Sequence, residues 1–315
     1  MLNEKESKMK KAIPIIIILL IFTIGLGILT YPLISSVANN IEMRSHAAAY
    51  FDDAKKEDPE DIKAMFAEAE EYNQSLLNTV ILTDPFDEES YAKIGAHYME
   101  TFNTNDKGLI GYIDVPKINV FLPIYHGTST EILTKGAGHL ENTALPIGGP
   151  STHSVISAHS AFPTETFFDY LVEMEEGDEF YIHVLNRTLK YQVDQIKVIL
   201  PTETQDLHVI EGKDYVTLLT CTPYTINTHR LLVRGERVEY EPDEGEDMPS
   251  GVTMNAGNDG MFFFGYKLSY LTIGIILGSF VLLIVIIVLI IVSRRKKGKH
   301  VASKEQSAEL DKGEV

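Results

Sequence analysis

The chain has 315 residues, a formal net charge of −18 at neutral pH and a single cysteine. That length accommodates one or two folded domains. One thiol excludes an internal disulfide, and a strongly acidic field repels phosphates, which excludes nucleic acid as a natural partner.

In chain order, the first feature is an apolar run at residues 12–34, preceded by Lys5, Lys8, Lys10 and Lys11. A signal peptide is one reading, since a basic stretch leads into an apolar one. The run is longer than a secretory h-region of roughly 7 to 15 residues and lacks a clear A-x-A site, which favours an uncleaved transmembrane helix. A second apolar run, 268–292, is followed by Arg294, Arg295, Lys296, Lys297 and Lys299. The positive-inside rule then predicts two transmembrane helices in the cell membrane and two cytoplasmic tails, 1–11 and 293–315, with the intervening chain on the extracellular face.

Residues 38–107 read as a helical extension. Asp58 and Pro59 have the character of an N-cap and first helical position, and Ile62, Phe66, Ala69, Tyr72 and Leu76 follow at spacings of three and four. From Gly108 the period changes to two. Runs such as "GLIGYIDVPKINVFLPIYHG", "HSVISAH", "DEFYIHVL", "DYVTLLTC" and "HRLLVRGERVEY" are rich in Val, Ile, Leu and Tyr and are divided by turn residues. They predict a mainly β domain over 108–240, a closed or nearly closed barrel of about seven or eight strands with short helices. The acidic stretch 241–267 has no sustained periodicity and reads as a linker. Zinc-type ligand spacing and a phosphate-cradling Gly loop are both absent from the sequence, so no metal is expected.

Three residues stand out chemically. Cys221 closes "DYVTLLTC" and precedes the turn signal "TPY", a position suited to a nucleophile, although free cysteine is also a common core filler. His159 ends "HSVISAH", and Arg230 opens the strand after the cysteine loop. Individually each has an ordinary structural reading. Together, a thiol, a proton-exchanging imidazole and a permanent cation are the groups that acyl transfer requires.

"TLLTC" followed by "NTHRLLVRG" resembles the sortase active-site signature, and the similarity extends through "GYIDVPKINVFLPIYHGT", "GAGHLENTALPIGG" and "THSVISAH". With a helical extension before the barrel and an apolar run after it, the chain resembles class C, or pilin-polymerising, sortases. The resemblance implies an eight-stranded sortase barrel flanked by two transmembrane helices. It makes Cys221 the nucleophile, His159 the general acid/base, Arg230 the transition-state arginine and Thr220 a substrate-binding residue.

It further implies a lid at "TDPFDEE": Asp84 pairing with Arg230, Pro85, and Phe86 packing over the Cys221 sulfur. Asp84 and Pro85 equally spell a helix cap and first turn. His126 and His139 take structural roles, and His229 falls on the face opposite Arg230. The chain departs from the class C pattern after His159, where Ser160 and Ala161 replace the usual Arg-Gly.

The implied activity is cysteine transpeptidation without a metal or organic cofactor. A pilin or surface protein bearing an LPXTG-like signal is cleaved through a thioester, and a lysine of the next pilin resolves it in pilus assembly on a Gram-positive cell. The rival within the class is an enzyme anchoring proteins to a cell-wall amine. A non-catalytic surface binding protein with an inert cysteine is the rival outside it.

Overall fold

A computed structural model describes residues 20–28, 31, 35, 43–76, 84, 86, 96–103, 108–160, 162, 166–241, 260–263, 266–269, 273–281 and 284. The chain divides into two units, Met1–Met254 and Asn255–Val315.

In the first unit, helix α1 (residues 43–54) precedes α2 (Pro59–Ser75). The Asp58 carboxylate accepts the Glu60 N–H at 2.9 Å and Pro59 opens the helix, so two of the usual terminal problems are met by local sequence. The predicted stripe is the buried one: Ile62, Phe66, Ala69 and Tyr72 face the core. Asn73 fastens α2 to the barrel by donating Nδ2 to the Leu145 carbonyl at 3.1 Å and accepting the Leu145 N–H at 2.7 Å. A short α3 (Ala96–Glu100) carries Tyr98, whose hydroxyl lies 2.8 Å from His139 Nδ1 and 2.9 Å from its carbonyl, and accepts the Gly127 N–H at 3.0 Å. The extension is thus held by polar anchors within an apolar contact, which fixes its register as apolar packing alone does not.

The barrel strands are β1 (Leu109–Val115), β2 (Val120–His126), β3 (Ala137–His139), β4 (Thr152–Ser157), β5 (Glu179–Val184), β6 (Arg187–Ile199), β7 (Asp214–Thr222) and β8 (His229–Val238). They close in the order β1-β2-β3-β4-β7-β8-β6-β5, the expected eight-stranded barrel. Two pairings are parallel, β2 with β3 and β4 with β7, and the rest are antiparallel. The β4–β7 pairing brings residues some sixty positions apart to neighbouring strand ends. A one-turn helix α4 (Thr130–Leu133), capped by the Ser129 hydroxyl, joins β2 to β3. The interior is filled by Ile113, Leu122, Ile124, Ile156, Phe180, Ile182, Leu218 and Val233, each buried. Gly111 is required where β1 meets β5, because a Cβ there would lie 2.2 Å from the His183 carbonyl oxygen.

The expectation of two flanking transmembrane helices, and the two-pass localisation built on it, is corrected here. Among the described residues, no helix is long and apolar enough to cross a membrane. The described helical residues at 20–28 and 273–281 cover ~14 Å each at ~1.5 Å per residue, under half of a ~30 Å hydrocarbon layer. The sequence reading took a span from apolar composition, which does not by itself supply the ~20 residues of helix that a span needs. The remaining residues of 12–34 and 268–292, both expected cytoplasmic tails, and 242–259 of the expected linker lie outside the described residues. In the second unit, Gly260–Phe263 pairs with Tyr266–Ser269 as a two-stranded antiparallel hairpin, so regular structure occupies part of the stretch assigned to the linker and the start of the second apolar run.

Candidate active site

Strand β7 carries six consecutive buried residues, 215–220, before its burial relaxes at Cys221 and Thr222. Cys221 therefore sits where the rigid sheet gives way to the loop at 223–228, half-buried. In the antiparallel register of β7 with β8, Cys221 stands directly opposite Arg230. The nine-position spacing of these two residues is thus the result of a strand end, a loop and a returning strand.

Arg230 is held from two directions. Its Nη1 donates to the carbonyls of Asn227 and His229, each at 3.0 Å, which fixes the guanidinium plane against its own loop. Asn227 has φ +62, a left-handed conformation that asparagine tolerates better than most residues, and it turns that carbonyl toward the arginine. The other edge of the guanidinium forms a fork with Asp84: Nε to Oδ1 at 2.8 Å and Nη2 to Oδ2 at 2.5 Å. The pair is shielded from water, with side-chain exposures of 9% for Arg230 and 16% for Asp84.

His159 follows the end of β4, the strand paired in parallel with β7. Its carbonyl accepts the Phe168 N–H at 3.0 Å. Its ring is enclosed by two aromatics, Phe162 stacked at 5.7 Å between centroids and Phe86 at 5.9 Å. Phe86 also lies 5.1 Å from the Arg230 guanidinium carbon and packs against a cluster that includes Leu140, Val155, Leu219 and Leu232. Its own N–H donates to Asp84 Oδ1 at 3.4 Å. One short segment therefore delivers an anion to Arg230 and a ring to His159. Pro85 between them lies outside the described residues.

Burial pushes the Cys221 thiol pKa above its ordinary value, and the Asp84 carboxylate adds to that; Arg230 opposes it. Burial pushes the His159 imidazole the other way, below its ordinary value. With Asp84 and Phe86 in place, the neutral thiol and the neutral imidazole are the favoured forms. Removing the carboxylate takes away a charge that disfavours thiolate and frees the arginine that favours it.

Thr220 is buried, and its hydroxyl donates to the Ala158 carbonyl at 2.7 Å. It therefore lies beneath the surface as a tie between β7 and the His159 segment. His126 and His139 are buried against the Tyr98 ring at 4.9 and 5.7 Å. The His229 ring nitrogen Nδ1 lies 2.9 Å from Thr228 Oγ1. Among the described residues no group of three His, Cys, Asp or Glu side chains is arranged to hold a metal ion.

Sequence reasoning missed three contributors: Phe162 on the imidazole, the Asn227 carbonyl on the guanidinium, and Ser160, whose hydroxyl donates to the Cys221 carbonyl at 2.8 Å. Only Ser160 left a signal, as the first position at which the chain departs from the class C histidine motif.

A sortase domain family model matches residues 113–238, the stretch from β1 to the end of β8. Among curated proteins, Sortase D of Bacillus subtilis is 28% identical over 131 residues, which are 41% of this chain and 63% of that protein. Sortase A of Staphylococcus aureus is 32% identical over 122 residues, 38% of this chain and 57% of that protein. The matched stretch thus spans less than two thirds of the length of these relatives. Among solved structures, sortase C-1 of Streptococcus pneumoniae superposes with TM-score 0.58 at 46% identity, covering 62% of this chain and 100% of that one. A pilus-related sortase C of Group B Streptococcus gives TM-score 0.54 at 50% identity, covering 59% and 94%.

Proposed function

Because the chain belongs to the sortase family, and within it to the class C or pilin-polymerising enzymes, we propose that it is a cysteine transpeptidase of pilus assembly. Its substrate is a pilin-type protein bearing an LPXTG-like signal, and its acceptor is a lysine amine of a second subunit. The observation that supports this most directly is the pairing of Cys221 with Arg230 across β7 and β8, with Asp84 already seated on the arginine.

Asp84 and Phe86 occupy the position that substrate takes, so the first step is their displacement. Arg230, still held by the Asn227 and His229 carbonyls, then presents its free edge to the substrate carbonyl. The Cys221 sulfur adds to the carbonyl carbon of the threonine while its proton passes to His159. The oxygen gains negative charge, which Arg230 stabilises in a site partly closed to water. Collapse breaks the Thr–Gly C–N bond, and His159 returns the proton to the departing glycine amine. A thioester on Cys221 remains. The lysine ε-amine adds to that thioester and loses a proton to His159. The C–S bond then breaks, the thiol regains the proton, and an isopeptide bond joins the two subunits.

The test uses the full chain, a pilin-type subunit carrying the signal, and the same subunit with its acceptor lysines replaced by arginine. Covalent ladders are expected with the first and are lost with the second. Undiminished ladders with the lysine-free subunit would sink the lysine-acceptor proposal.

A further inference from the structure

The parallel ladder of β4 with β7 runs from Thr152↔Asp214 to Ser157↔Leu219. One more backbone rung follows, Ala158 N–H to the Leu219 carbonyl at 3.2 Å. If the ladder continued, the Ala158 carbonyl would next take the Cys221 N–H, and the Cys221 carbonyl would take the Ser160 N–H. Side-chain hydroxyls stand in those places. Thr220 Oγ1 donates to the Ala158 carbonyl at 2.7 Å, and Ser160 Oγ donates to the Cys221 carbonyl at 2.8 Å.

This substitution has a geometric consequence. A backbone rung holds two strands at ~4.8 Å, whereas a hydroxyl on a side chain bridges a wider gap. The two strand ends are therefore tied at the site through side chains, one hydroxyl coming from each side. His159 lies between the two residues of the β4 segment that make these ties, Ala158 and Ser160. Its own carbonyl is fixed by the Phe168 N–H. The Ser160 bond ends on the main chain of the nucleophile residue itself, so it couples the imidazole-bearing segment directly to the thiol-bearing one.

We propose that Ser160 is a positioning residue for the transpeptidation: its hydroxyl, donated to the Cys221 carbonyl, sets the placement of the His159 imidazole relative to the Cys221 thiol. The inference rests on the cysteine transpeptidase reading above. Ser160 touches neither substrate nor the reacting atoms, and acts through the main chain. Loss of the hydroxyl leaves the Cys221 carbonyl to water and lets the loop after His159 drift. A displacement near 1 Å in such a pair costs up to ~100-fold in rate.

The experiment compares the parent, Ser160→Ala, Ser160→Thr and Cys221→Ala proteins, all in an Asp84→Ala background so that substrate entry is not limiting. Turnover of an LPXTG peptide gives kcat and KM, and thermal midpoints are recorded alongside. Ser160→Ala is expected to lower kcat ~10-fold with KM within about twofold of the parent, since peptide binding does not depend on proton-transfer geometry. Ser160→Thr, which keeps the hydroxyl, restores most of that loss. The proposal is overturned if Ser160→Ala keeps kcat within about twofold, if the loss falls on KM instead, or if Ser160→Thr is no better than alanine. Failure of the underlying reading looks different: Cys221→Ala would then turn over the peptide like its parent.

Discussion

Replacing Asp84 by alanine should release the site. The carboxylate makes two charge-assisted bonds to Arg230, at 2.8 and 2.5 Å, in a pair that is largely shielded from solvent. Hydrogen bonds to charged groups contribute ~1.5–3 kcal/mol each, and their partial non-additivity puts the fork at ~2–4 kcal/mol. At ~1.4 kcal/mol per tenfold, its loss raises the open population ~30- to ~700-fold, provided the lid remains mostly closed in the parent. Phe86 keeps its packing against His159 and the Leu140 cluster, which places the outcome toward the lower figure.

The assay is alkylation of Cys221 by iodoacetamide across pH. The plateau rate at high pH reports access to the sulfur, and the inflection reports the thiol pKa. In the parent the inflection lies above the ordinary thiol value, because burial and then the Asp84 carboxylate outweigh Arg230. In Asp84→Ala the plateau rises and the inflection moves to lower pH. Asp84→Asn, which keeps shape but not charge, falls between. The reasoning is refuted if plateau and inflection both stay where they were in the parent.

Three further outcomes are expected. Phe86→Ala raises the alkylation plateau and moves the His159 pKa toward its ordinary value, read by NMR titration, because burial is what holds that imidazole down; an unchanged titration would show that the ring does not shield it. Tyr98→Phe costs ~1–3 kcal/mol in denaturant unfolding, since it strips the Gly127 N–H and His139 Nδ1 of their partner; a change below ~0.5 kcal/mol would mean that the extension is held by apolar packing alone. Acid destabilises the fold through three buried imidazoles. Burial holds His139 and His183 down to about 3 and His153 to about 4. Their folded values are depressed, so this stability is full above the unfolded value of ~6.5 and is lost as pH falls, by up to ~4 kcal/mol per pH unit for three protons. A urea midpoint that stays flat from pH 6.5 to pH 4.5 would contradict it.

The parts of the fold legible in the sequence are those governed by local periodicity. Runs rich in Val, Leu and Thr bounded by turn residues, "DYVTLLTC" and "HRLLVRGERVEY", mark β7 and β8, and the Asp58-Pro59 pair with its following stripe marks α2. The Cys221–Arg230 pairing is nearly local, because one loop joins the two strands. By contrast, the Asp84–Arg230 fork joins residues 146 positions apart and the Tyr98–His139 contact joins residues 41 apart. No periodicity encodes such contacts, and the first of them was reachable only through family resemblance. The hydroxyl bridges of Thr220 and Ser160 were hidden for another reason. Which carbonyl a serine meets depends on where a parallel ladder stops, and that is a property of two strands together. The apolar runs misled in the opposite direction: composition reports how a segment partitions, and among the described residues no helix is long and apolar enough to cross a membrane.

The central claim is that Cys221 carries the acyl group. Its most direct test is intact-mass analysis of the Asp84→Ala protein mixed with an LPXTG peptide and quenched in acid. The account predicts a single acyl adduct, mapped to Cys221, labile to hydroxylamine and absent from the Cys221→Ala protein. Peptide cleavage that proceeds without any adduct on Cys221, or an adduct that survives the cysteine's removal, would contradict it.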